Sequence, residues 1–183
     1  HSTSPVAHEH TLAGEKLSLL AVFAHPEDES FGPAGTLAKY ANEGVEVSLV
    51  SATRGDTPIK VEEKSQRDRV CSCRASGIRR ACLFDYRRGE LNRVTPQVVA
   101  ERLVRLIREI RPQVIITFGP GGLTGDVDNQ IINAAATQAF RDAGDSTKFA
   151  HHFNEGLHAY APQKLYYCLL PHSLIKRWGV QEL

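Results

Sequence analysis

Residues 17–24 read Leu-Ser-Leu-Leu-Ala-Val-Phe-Ala, a nearly continuous apolar run of strand length. A strand that is apolar on both sides suits the interior of a parallel sheet, where helices cover each face. His25-Pro26 ends the run, because proline has no N–H to give to the ladder. This one segment predicts a buried central strand and, with it, an α/β protein.

The remaining chain repeats the same alternation. Residues 36–42 have helical spacing, with Gly44 as the stop beyond the helix. Residues 45–52 read as a second strand, followed by a Thr53-Arg54-Gly55-Asp56 turn. The charged stretch 61–76 is expected to be helical and closed by Gly77, and 81–86 to be a short strand. Thr95-Pro96 is a strong helix start, with a cap and a proline at the first helical position. Val99, Leu103, Leu106, Ile107 and Ile110 mark one face of that helix, and Pro112 ends it. Residues 113–118 give a further strand. A glycine-rich loop over 119–125 leads to a helix from about 130 to 143, and 165–170 form a last strand. The expected fold class is therefore α/β, a doubly wound, mostly parallel, Rossmann-like sheet with helices on both faces. Residues 1–14 are expected to form a flexible tail and 15–183 a single domain; 145–162 read as a long loop.

A chain of 183 residues can bury roughly 70% of its unfolded surface, so it needs neither a metal nor a disulfide to fold. Its formal charge of +1 supplies no global field for nucleic acid or an anionic membrane. No apolar run is long enough to span a membrane, and no leader of the secretory kind is visible. The four cysteines, at 71, 73, 82 and 168, lack zinc-knuckle spacing. They read as reduced, buried thiols, which suggests a cytoplasmic protein. The glycines after the first strand do not form G-x-G-x-x-G, and the 119–125 loop has no G-K-S/T, which argues against a nucleotide-binding domain.

Chemistry is concentrated just after the first strand. Ala24-His25-Pro26-Glu27-Asp28-Glu29-Ser30 places one imidazole and three carboxylates at the strand's end, where open α/β sheets bind ligands. Such crowding is costly unless a cation neutralises it. His25 and Asp28 make a plausible ligand pair for zinc or a harder ion, with Glu27 placed to take a proton. The plainer alternative is a solvated acidic loop that caps the next helix.

The segment resembles the AHPDDE motif of the LmbE-like/PIG-L de-N-acetylases. The resemblance continues, in the family's order, through FGPAGTLAKYANEG, SATRGD, FDYRRGEL and RPQVIITFGPGGLTG, and covers most of residues 17–170. It implies a metal-dependent hydrolase that removes acetyl from N-acetylglucosamine units or related amides, with zinc as cofactor. The implied partner is a small N-acetylated sugar or amide; a homo-oligomer is compatible with it.

Carried across residue by residue, the resemblance implies that His25 and Asp28 are metal ligands. Glu27 stands where the family has an aspartate base, one methylene longer. Arg54 matches the arginine that helps hold substrate. Arg88 stands where the family has a sugar-holding aspartate, and its reversed charge suits an anionic ligand. The family's HPDH reads Asp126-Val127-Asp128-Asn129 here. Asp126 thus stands at the histidine that steadies the tetrahedral intermediate, and Asn129 at the third metal ligand. His151, His152 and His158 are expected as exposed loop imidazoles, with the alternative that one folds over the site. A second functional expectation is a relative that binds a sugar-like or anionic ligand without turning it over.

Overall fold

The structure is a computed structural model. It describes residues 16–54, 70–72, 77–123 and 125–170, with 173 and 177 as isolated positions. Its sheet has six strands: β1 (Ser18–Phe23), β2 (Glu46–Thr53), β3 (Val70–Ser72), β4 (Ile78–Tyr86), β5 (Val114–Phe118) and β6 (Lys164–Cys168). The order across the sheet is β3-β4-β2-β1-β5-β6. Five strands run parallel, and only β3 is antiparallel, against β4. This is the expected doubly wound sheet.

β1 is buried along its whole length, as its unbroken apolar sequence requires. Its odd-numbered side chains, Leu19, Ala21 and Phe23, pack with Leu37 of α2 (Ala34–Asn42) and with Leu49 and Phe118. Its even-numbered ones, Leu20 and Val22, pack on the opposite face against α3 (Pro96–Ile110) and α4 (Val127–Asp142). Val99, Leu103, Leu106 and Ile107 of α3 are fully buried there, as their spacing predicts, and Ile110 packs beside them partly buried. A fully buried side chain of this kind contributes about 1.5–3 kcal/mol. Two short helices complete the described fold: α1 (Asp28–Phe31) and α5 (His151–Asn154).

Three expectations need correction. Val70–Ser72, expected within a helix, is the edge strand β3. Its pairing with Ala81, Cys82 and Leu83 overrides the helical character of the charged sequence around it. The rest of the 61–76 prediction lies outside the described residues. α4 begins at Val127, with Asp126 as its N-cap, not near residue 130. Finally, Cys82 is disulfide-bonded, so the four cysteines are not all reduced thiols. Its register partner on β3 is Cys71. The cysteine-based argument for a reducing compartment is thereby removed. Among the described residues, no helix is long and apolar enough to cross a membrane.

The order of the parallel strands puts the topological switch beside β1. From β2 and β4 the winding proceeds to one side, and from β5 and β6 to the other. Segments that leave the ends of β1, β2 and β5 therefore share one rim. Those segments hold His25, Arg54 and the glycine-rich connection from β5 to α4.

Candidate metal centre at the switch point

His25 lies two residues beyond β1 and is only 1% exposed. Its Nδ1 is 2.8 Å from Thr53 Oγ1, at the end of the neighbouring strand β2. When Nδ1–H is donated to that hydroxyl, Nε2 keeps its lone pair. This is the tautomer a ligating histidine needs, oriented by an outer partner. Nε2 is buried and has no hydrogen-bond partner among the described residues.

The tight turn after His25 follows from Asp28. Its Oδ2 accepts the His25 backbone N–H at 2.8 Å, and its own N–H donates to the His25 carbonyl. Burial raises the Asp28 carboxyl above its usual range; the hydrogen bond from the His25 amide and the nearby imidazole oppose the rise, and Glu27 and Asp126 reinforce it.

The opposite wall is the first turn of α4. Asp126 caps the helix, its Oδ1 accepting from Asn129 N at 3.1 Å, and the same oxygen is 3.6 Å from His25 Nε2. Asp128 is 2% exposed, and its Oδ2 is 3.9 Å from His25 Nε2. His25, Asp126 and Asp128 offer ligand atoms all within 4.8 Å of one another. Asn129 is 4% exposed, and its Oδ1 is buried without a hydrogen-bond partner among the described residues. The turn that feeds this wall needs Gly122: its φ is +68°, and a Cβ there would sit 3.1 Å from the Asn129 Cβ and 3.2 Å from the Asp126 carbonyl oxygen.

Asp128 is the site residue that the sequence reading passed over. It accepts backbone N–H groups from Gly89 and Leu91, at 2.5 and 3.2 Å. It thus ties the β4–α3 connection, with Arg88 on it, to the His25 wall. The signal was available, since 128 is the one position of the HPDH segment that this chain retains.

Glu27 and Arg88 meet at the mouth. The Arg88 guanidinium donates to Glu27 Oε1, and both side chains are more than two-fifths exposed. Burial pushes the Glu27 carboxyl up. The Arg88 hydrogen bond, a backbone hydrogen bond and the charges of Arg88 and His25 outweigh it and hold Glu27 below the usual glutamate range. Arg54 follows β2 on the same rim, half-exposed, with its guanidinium 3.9 Å from Asp85 Oδ2. A groove of about 650 Å³ lies elsewhere, lined by Leu17, Tyr40, Ile116 and Tyr166 among others, and touches none of these residues.

The loop histidines do not fold over the site. His151 and His152 lie on α5, against Glu101 of α3, at 2.7 and 3.6 Å. His152 is fully buried, against the expectation of an exposed imidazole, because it stacks on Phe149 and faces Arg108. His151 and His158 are exposed as expected.

An imidazole and several acidic side chains gathered at the switch point of a parallel sheet give an α/β protein with a group of residues that could hold a metal ion. The sequence pattern of the GlcNAc-PI de-N-acetylase (PIG-L) family matches residues 20–140, and this chain belongs to that family. A mycothiol S-conjugate amidase of Streptomyces coelicolor is 31% identical over 180 residues, covering 84% of this chain and 61% of that protein. A 1D-myo-inositol 2-acetamido-2-deoxy-alpha-D-glucopyranoside deacetylase of Kineococcus radiotolerans is 29% identical over 72% of this chain and 47% of that protein. The chain thus spans between about half and three-fifths of the length of these two relatives. In fold it is similar to the N,N'-diacetylchitobiose deacetylase of Pyrococcus horikoshii, with a TM-score of 0.67 at 19% identity over 82% of this chain and 60% of that one.

Proposed function

We propose that the chain carries the metal-site portion of an N-deacetylase that acts on a small N-acetylated sugar or related amide, and that its turnover is slow. The observation that supports this most is the unpartnered, buried His25 Nε2, held in a ligand's orientation by Thr53 and facing acidic side chains. Such an arrangement is costly without a cation and fits one well. His25, Asp28 and Asn129 would hold the ion, zinc in the family's usual form, with Asp126 and Asp128 beside it. When bound, the ion supplies Lewis-acid polarisation of the amide carbonyl.

The chain's own residues account for slow turnover. Glu27 is the base, but its ion pair with Arg88 lowers its basicity and points it at a guanidinium. Asp126 spends an oxygen on capping α4 and, as an acceptor, cannot donate to a developing oxyanion. Arg54 and Arg88 line the rim as substrate-side cations, suited to a ligand that carries an anionic group. The Arg88–Glu27 pair also favours a second reading, a relative that binds such a ligand without hydrolysing it.

Amine release from an N-acetylglucosamine substrate, followed against pH, separates the two. Glu27 must be deprotonated to act, so activity falls as pH drops through its pKa. Removing Arg88 takes away the largest of the effects that lower that pKa. Arg88→Met should therefore move the acid limb of the profile to higher pH. Unchanged limbs would remove Glu27 as the base, and no amine release from either protein would favour the binding-only reading.

A further inference from the structure

Resting on the reading of the His25 rim as the metal centre, we propose that this chain has turned a zinc site into an oxygen-rich site for a hard divalent cation of the manganese(II) type. The family's second ligating imidazole is here the amide of Asn129, whose buried Oδ1 has no hydrogen-bond partner. Its orphaned state points to a ligand, since a buried polar atom left unpaired costs about 1–3 kcal/mol. His25 Nε2 is likewise buried without a hydrogen-bond partner among the described residues, and carboxylate oxygens of Asp126 and Asp128 lie 3.6 and 3.9 Å from it. The donors are therefore one imidazole nitrogen and several oxygens, carboxylate and amide.

Zinc favours nitrogen and sulfur, whereas carboxylate and carbonyl oxygens suit magnesium, calcium and manganese. The single imidazole favours manganese among these. Zinc still out-competes manganese in absolute affinity at most nitrogen and oxygen sites. The change at 129 must therefore appear as a smaller ratio of zinc to manganese affinity.

The second cluster of this kind among the described residues, Glu101, His151 and His152, does not compete. Arg108 donates to His152 Nδ1 at 3.2 Å, so that nitrogen is the acceptor. The proton of a neutral His152 then sits on Nε2, the atom a metal would need. Burial favours this neutral form. His25 Nδ1 instead faces a hydroxyl that can accept its proton, which frees Nε2 to ligate, whereas His152 Nδ1 faces a guanidinium that only donates.

The test is titration of the purified full chain, stripped of metal by chelation, with manganese(II). Loss of the free-ion electron paramagnetic resonance signal reports binding, and zinc competition gives the ratio. We expect one manganese per chain. His25→Ala and Asn129→Ala should each weaken it by about tenfold or more, since a direct ligand is worth at least as much as the outer partners that cost 10–100-fold. Asn129→His should raise the zinc-to-manganese ratio by about a hundredfold. Manganese binding unchanged in His25→Ala, or equal ratios with Asn and His at 129, would overturn the proposal. If the His variant does not fold by circular dichroism, Asn129→Ala carries the test alone: weaker manganese binding supports the proposal, and unchanged binding ends it. Manganese binding without amine release would leave this inference standing and remove the deacetylase reading. Amine release with zinc, at an unchanged ratio, would do the reverse.

Discussion

The double substitution Asp126→His/Asn129→His should raise the rate of deacetylation of an N-acetylglucosamine substrate by about 10²–10³, together with zinc affinity. The rate gain comes from position 126. A carboxylate there accepts hydrogen bonds and repels a developing oxyanion, whereas an imidazole can donate to it; one such donor is typically worth about that factor. The affinity gain comes from 129, where imidazole replaces an amide. A cost comes with it. Asp126 Oδ1 accepts from Asn129 N as the N-cap of α4, and losing such a cap removes about 1 kcal/mol of stability. The variant should thus be faster and slightly less stable. Assay by amine release, with a melting curve on the same preparation, checks both. A rate no higher than the parent's would mean that these two positions do not limit catalysis.

The second large effect is on stability. Arg108→Met should lower it by about 3 kcal/mol, which for a chain of this size corresponds to roughly 10 °C in Tm. Arg108 is buried in α3, and its guanidinium serves the connection between α4 and β6 from several sides. Nε donates to the Ala143 carbonyl, and Nη2 to the carbonyls of Asp145 and Lys148. Nη1 donates to the Phe149 carbonyl and to His152 Nδ1. Burial pushes the Arg108 pKa down, with the charges of Asp145 and Asp142 opposing it. Methionine fills similar space but donates nothing, so all of these acceptors lose the guanidinium together, and the Ala143, Asp145 and Phe149 carbonyls keep only their backbone donors. Urea denaturation gives the difference directly. A loss below about 1 kcal/mol, within the range of a single ordinary hydrogen bond, would show that water replaces the guanidinium.

What could be read from the sequence follows from how local each signal is. β1 was readable because burial on both faces leaves an unbroken apolar run, and α3 because its buried face repeats at helical spacing. β3 was not, since its identity comes from pairing with β4 and the surrounding charged sequence looks helical. The segment 145–162 reads as a plain loop because the residue that orders it, Arg108, lies some 37–44 positions earlier in the chain. In the site, His25, Asp28 and Glu27 announced themselves as a cluster. The start of α4 was set too late, although Asp126 is an ordinary capping residue. Asp128 is marked in the sequence only by its match within the HPDH segment, because its partners, backbone N–H groups of a different connection, are invisible to any local pattern.

The central claim, that the cation site lies between His25 and the first turn of α4, is tested most directly by an anomalous-scattering map of crystals of the full chain loaded with manganese(II). The account predicts one peak per chain, within bonding distance of His25 Nε2 and the Asn129 side-chain oxygen, with nothing at the Glu101, His151 and His152 cluster. A peak at that second cluster, or none beside His25 at full loading, would contradict it.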